Sequence, residues 1–160
     1  MALKYAKIMK GREKMLKIYL DNCCYNRPFD VLTQERLRLE SEAIVSIVKL
    51  AESNQIRILG SKFIEIEMNN NRNELKKMKS QNLYQIIHED IPLILEVEAR
   101  SEEIMNISNI RLFDSLHIAI AESADVDILL TTDDKFEKIA SKLDLKLRVM
   151  NPLKFVLEMM

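Results

Sequence analysis

Asp127-Ile128-Leu129-Leu130-Thr131-Thr132-Asp133-Asp134 is the stretch on which the fold turns. Its leading half is almost uniformly apolar rather than alternating, as expected of a strand buried on both faces in a parallel sheet. Before it, Leu116, Ile120 and Phe113 fall on one face of a helix predicted from Leu112 to Ala124. After it, Thr132 or Asp133 opens a helix to about Leu143. Leu145-Lys146-Leu147-Arg148-Val149 then alternates as another strand, and Pro152 leads into a last helix to Glu158. Strands alternating with helices predict an α/β fold with a mostly parallel sheet.

Nearer the N-terminus the same alternation recurs. Leu16-Lys17-Ile18-Tyr19-Leu20 is a short apolar-rich strand ending at Asp21-Asn22. Asn26 to Asp30 reads as a loop, because the residue before Pro28 avoids helix. Thr33 caps a helix from Gln34 to Ser53, whose Leu37, Ile44, Ile47, Val48 and Ala51 recur at helical spacing. Ile56-Arg57-Ile58-Leu59 is a second strand, and Ser61 caps the helix that carries Glu65 and Glu67. Glu74 to Ile87 is helical with a break at Ser80-Gln81-Asn82, and Pro92 suits the first turn of a helix to about Ile107.

Composition sets the outer bounds. At 160 residues, one domain over 15–160 is expected, with 1–14 as a flexible extension. Apolar residues at 48% and charged residues at 31% exclude a disordered chain. With only two glycines and three prolines, an all-β design full of tight turns is excluded too. The net charge of −1 advertises no global positive field, although a bound cation inverts the local sign of an acidic site. Adjacent Cys23 and Cys24 lack the spacing of a zinc site, so both read as reduced thiols of a cytoplasmic protein. No apolar run approaches the roughly 20 residues needed to cross a bilayer, and no signal peptide is recognisable, so no membrane partner is expected.

Open parallel sheets bind ligands outside the carboxyl ends of their strands. Asp21 follows the first strand directly, and Asp133 and Asp134 follow the apolar strand that opens this section. Glu65 and Glu67 lie one short turn beyond the second strand, and their two-residue spacing lets only one aim at a shared site. Asp114 begins Asp-Ser-Leu-His-Ile-Ala-Ile-Ala, an otherwise mostly apolar helix, so its carboxylate belongs at a buried margin. Each acid has a bland alternative: Asp21 a turn residue, Asp133 a helix cap, Glu67 a solvated charge. Clustered carboxylates repel, however, and are tolerated chiefly where a cation neutralises them. Oxygen ligands of this kind suit Mg²⁺ or Mn²⁺ and the activation of water for attack on phosphorus.

The order of these blocks resembles the PIN-domain family. Ile18-Tyr19-Leu20-Asp21-Asn22 is similar to its first strand and acid. The adjoining Cys23-Cys24-Tyr25-Asn26-Arg27-Pro28-Phe29-Asp30 resembles a bacterial and archaeal subgroup, toxin-like in its opening. Ser61 with Glu67, Phe113-Asp114-Ser115-Leu116-His117-Ile118-Ala119 and Leu130-Thr131-Thr132-Asp133-Asp134-Lys135-Phe136 resemble the remaining acidic blocks, with Ser115 in place of the usual alanine. The resemblance spans roughly Leu16 to Pro152. It implies a three-layer α/β/α sandwich and a metal-dependent endoribonuclease whose catalytic and metal-binding acids are Asp21, Glu67, Asp114 and Asp133. It further implies RNA as substrate, frequent homodimerisation and, in many bacterial members, an antitoxin that holds the toxin inactive. Asn22, Thr131, Thr132, Asp134 and Arg27 are the expected supporting or substrate contacts, with Thr131 and Thr132 equally suited to capping. His117 reads as a packed structural histidine or as a carboxylate–histidine partner of Asp114. Two alternatives stay open: a catalytically weak module of the same fold that binds RNA or protein, and a receiver-like phosphate-handling domain.

Overall fold

Burial of Ile18, Tyr19 and Leu20 on both sides of their strand makes that segment the middle of the molecule. The computed structural model describes residues 15–159, so the expected extension over 1–14 lies outside the described residues. The strands are β1 (Lys17–Leu20), β2 (Arg57–Ser61), β3 (Glu89–Ile91), β4 (Ile128–Leu130) and β5 (Arg148–Met150). All pairings are parallel, in the order β3-β2-β1-β4-β5. Ile18 stands beside Ile58 on one side and Ile128 on the other.

The helices are α1 (Asn22–Asn26), α2 (Glu35–Glu52), α3 (Lys62–Asn69), α4 (Glu74–Tyr84), α5 (Leu95–Asn106), α6 (Leu112–Ser123), α7 (Asp134–Ala140) and α8 (Pro152–Met159). From β1 the chain steps outward to β2 and β3, then crosses back to β4 and β5. Right-handed crossovers therefore place the helices of the two halves on opposite faces, which yields the expected α/β/α layering. α5 packs against α6, while the last helix, α8, returns to pack against α2 of the first half. Ile58, Leu59, Leu129 and Leu130 are fully buried between the layers. Each such side chain contributes about 1.5–3 kcal/mol by leaving water.

The order in which strands are added reverses between β1 and β4, although the two run parallel. Their carboxyl ends form the switch point of the sheet, where Asp21 and Asp133 emerge.

Several local expectations need correction. The segment Asn26 to Asp30, read as a loop, holds the last residue of α1 and a 3₁₀ turn at Arg27–Phe29, in which Pro28 is accepted because the first turn of a helix spares it a donor. Thr33 does not cap α2; Gln34 holds that position without a side-chain bond. α4 runs unbroken through Ser80-Gln81-Asn82, because Ser80 is buried and its hydroxyl meets Asn26 Oδ1 at 2.7 Å. Pro92 precedes α5 by several residues. β5 begins at Arg148, later than the alternating pattern suggested, and β3 was not anticipated at all.

Candidate metal centre

Asp21 is fixed twice over. Its amide donates to the Leu130 carbonyl at 2.9 Å, tying the end of β1 to β4. Its backbone is extended, so the chain can turn into α1 while Oδ1 accepts the Asn22 amide at 2.8 Å. Oδ2 accepts the Thr131 hydroxyl at 2.9 Å and the Cys23 thiol at 3.4 Å. Burial raises the Asp21 carboxyl above its ordinary range; His117 pulls it back and Glu67 pushes it up again. Such a group resists ionising unless a cation stands nearby.

Glu67 arrives from α3. Ser61, expected to cap that helix, instead sends its hydroxyl to the Tyr19 phenol at 2.6 Å. The phenol meets His117 Nδ1 at 2.6 Å, and His117 Nε2 forms a close hydrogen bond to Glu67. His117 is fully buried on α6, and its Nε2 lies 3.9 Å from Asp21 Oδ1. Burial, the largest influence, disfavours its charge, but the Glu67 bond and the carboxylates of Asp21, Glu67 and Asp114 together raise its pKa. With Nε2–H donating to Glu67 and Nδ1 against the Tyr19 hydroxyl, every member of the chain has a partner. Glu65, two residues away, faces Lys62 at 3.9 Å instead. Of the two glutamates, Glu67 is the one beside the other acids.

Asp114 and Asp133 make up the other half. Asp114 sits in the first turn of α6 with a side chain only 10% exposed. Burial lifts its pKa to about 6, Asp21 adds to the rise, and Arg111 opposes it. Asp133 caps α7, with Oδ1 accepting the amides of Lys135 at 3.0 Å and Phe136 at 3.2 Å. Its other oxygen accepts Arg111 Nη2 at 2.8 Å, while Arg111 Nε reaches Asp114 at 3.1 Å. Capping and cluster membership, set against each other in the sequence, use different oxygens of one carboxylate.

The supporting residues divide. Thr131 is buried and links two acids, donating to Asp21 and accepting the Asp133 amide at 3.1 Å. Asn22 Oδ1 is buried with no hydrogen-bond partner. Thr132 accepts from Arg27 at 3.0 Å. Arg27 thus reaches the edge at Thr132, but it is 18% exposed and also engaged with Asp30 at 2.7 Å and buried Glu40 at 3.3 Å. Asp134 also lies apart, exposed and paired with Arg36 at 2.7 Å. A cap position directs Asp133 inward along α7, which leaves its neighbour facing outward.

Ligand atoms of Asp21, Glu67 and His117 all lie within 4.8 Å of one another. The carboxylate oxygens suit a hard divalent ion, and an unpartnered amide oxygen one residue from Asp21 adds a further oxygen donor. The residues therefore fit such a group. Sequence reasoning missed Arg111 and Tyr19. The spacing of Arg111 to Asp114, three residues across a helix start, was the available signal for the first.

A PIN-domain family model matches residues 26–142. The chain belongs to the PIN-domain family. Its fold is similar to the crystal structure of VapBC2 from Rickettsia felis bound to a DNA fragment from their promoter, with a TM-score of 0.54 and 13% sequence identity. That similarity covers 85% of this chain and 98% of the other. Among curated proteins, none matches this sequence. As a PIN domain, the chain places its acidic cluster at the switch point of the sheet. Among the described residues, no helix is long and apolar enough to cross a membrane.

Proposed function

We propose that this PIN domain is a metal-dependent endoribonuclease, with Asp21, Glu67, Asp114 and Asp133 as its catalytic and metal-binding carboxylates. The observation that carries this reading is convergence. Acids from β1, α3, α6 and the start of α7, distant in sequence, gather at one edge, and two of them are buried. Burying repelling carboxylates is costly, so a fold that keeps them has a use for a cation there.

Bound Mg²⁺ or Mn²⁺ would activate water toward a phosphodiester and stabilise the leaving oxygen. The protein's own contribution is to hold the oxygens still. Thr131 fixes Asp21, the Tyr19–His117 chain fixes Glu67, and the α7 amides fix Asp133. His117 is read here as the residue that orients Glu67 rather than as one that reacts. RNA is the substrate that family membership favours. An antitoxin and a second copy of the chain are the partners to be expected of a toxin of this family, in the cytoplasm. A catalytically weak binding module is disfavoured, because such a module has no need of Asp114 in a site that resists its ionisation.

The test is Mn²⁺-dependent cleavage of single-stranded RNA by purified protein. Asp21→Asn and Asp114→Asn, checked as folded by circular dichroism, are expected to lose activity by at least about 100-fold. Cleavage unchanged in either variant would refute the assignment.

A further inference from the structure

Arg111 is the cation that the acid cluster already contains. Among the described residues it is the only lysine or arginine within ion-pair distance of any of the four acids, and it touches two of them. Its backbone is the cap of α6, with its carbonyl accepting the Ser115 amide at 2.9 Å. Its side chain is different in kind from Asp114: 68% exposed, against 10%. The main chain is thus anchored while the guanidinium reaches over the acids from the solvent side. One fork grips two separate carboxylates through Nε and Nη2, rather than one carboxylate with both nitrogens. That grip occupies Oδ2 of each acid, so a divalent ion held through those atoms would compete with it.

We propose that Arg111 is an internal counter-cation of the metal-free centre, giving up Asp114 and Asp133 on metal loading and then facing the substrate phosphodiester. This rests on the nuclease reading above. Three features favour exchange over a permanent brace. One partner is fixed by other contacts, since Asp133 is held by the α7 amides and needs no arginine to stay in place. The guanidinium is exposed, and exposed ion pairs are weak enough to yield. Finally, the displaced group cannot leave, because its Cα is three residues from Asp114 and remains at the mouth of the site. A planar, permanently charged fork in that position matches a phosphate better than a lysine would.

The experiment is calorimetric titration of Mn²⁺ into metal-free wild type, Arg111→Gln and Arg111→Lys at pH 8, without RNA. Arg111→Gln is expected to bind Mn²⁺ more tightly by roughly three- to tenfold, the scale on which partly exposed pairs act. Arg111→Lys, which keeps the charge and loses the fork, should fall between. In the same Mn²⁺-loaded proteins, an uncleavable 2′-O-methyl oligonucleotide should bind Arg111→Gln several-fold more weakly, with a salt slope lower by about 1. Equal or weaker Mn²⁺ affinity in Arg111→Gln, while wild type binds, overturns the inference and leaves the nuclease reading intact. Wild type that takes up no Mn²⁺ overturns both.

Discussion

At the level of single residues, the centre holds its acids under electrostatic load, and Asp114 shows how much. Its pKa of about 6 lies above the ordinary 3.8, so the metal-free folded state holds this proton more tightly than the unfolded chain does. Below about pH 4 the group is protonated in both states and contributes nothing. Between about pH 4 and pH 6 the unfolded chain releases the proton first, and stability falls; above about pH 6 the whole cost is present. Asp114→Asn should therefore be more stable than wild type at pH 8 by about 1–3 kcal/mol without metal, and close to it at pH 4. Paired urea titrations at the two pH values measure this, and equal stabilities at pH 8 would contradict it. Legibility at this scale was uneven. Asp21 and Asp133 could be read because each follows an unmistakable apolar strand, and Asp114 because a lone charge in an apolar helix needs a reason. Arg111 was passed over, since an exposed arginine at a helix start has no apolar pattern to mark it and its three-residue spacing to Asp114 was the one signal. His117 was divided between two readings because a buried histidine suits core and site alike; it is buried, and its carboxylate partner is Glu67 rather than Asp114.

Secondary-structure elements were legible wherever burial imposed a period. β1, β4 and α6 carry nearly continuous apolar runs and were readable from them. β3 was not, because Glu89 and Asp90 are exposed on a three-residue edge strand that carries no apolar run. The 3₁₀ turn was hidden by the proline rule: Arg27, just before Pro28, takes a helical conformation here and begins the turn. That turn matters because it carries Arg27, whose guanidinium meets Glu40 on α2, a carboxylate almost wholly buried. Arg27→Ala leaves Glu40 with Arg36 and Asn151 alone, and a loss of about 1–3 kcal/mol is expected. RNA cleavage per folded molecule should change by less than about threefold; a collapse of activity at unchanged urea midpoint would return Arg27 to the substrate. β2 and α4 meet at Gly60, where an added Cβ would stand 2.7 Å from Tyr84 Cζ. Gly60→Ala should cost about 1–3 kcal/mol by this overlap, read from the same denaturation curve, and a neutral result would mean that Tyr84 is free to move.

For the molecule as a whole, the sheet reversal between β1 and β4 is what converts separate acids into a centre, and topology of that kind was predictable from alternating elements. What the sequence could not convey was how the cluster splits: Asp21 and Glu67 gather on His117, while Asp114 and Asp133 share Arg111. A cation that binds only the folded form should stabilise the entire domain, by about 2.7 kcal/mol at a hundredfold excess over its Kd. Thermal melts with Mn²⁺ at pH 8 should show the rise, and at pH 5 it should shrink as Asp114 takes a proton. No rise at either pH would mean that the folded centre has no preference for the ion. The most direct measurement is an anomalous difference map from crystals soaked in Mn²⁺ at pH 8. The account predicts a peak at the β1–β4 edge, in contact with carboxylate oxygens of Asp21 and Asp114. Crystals that diffract well and show no Mn²⁺ there, or show it only at acids elsewhere on the surface, would contradict it.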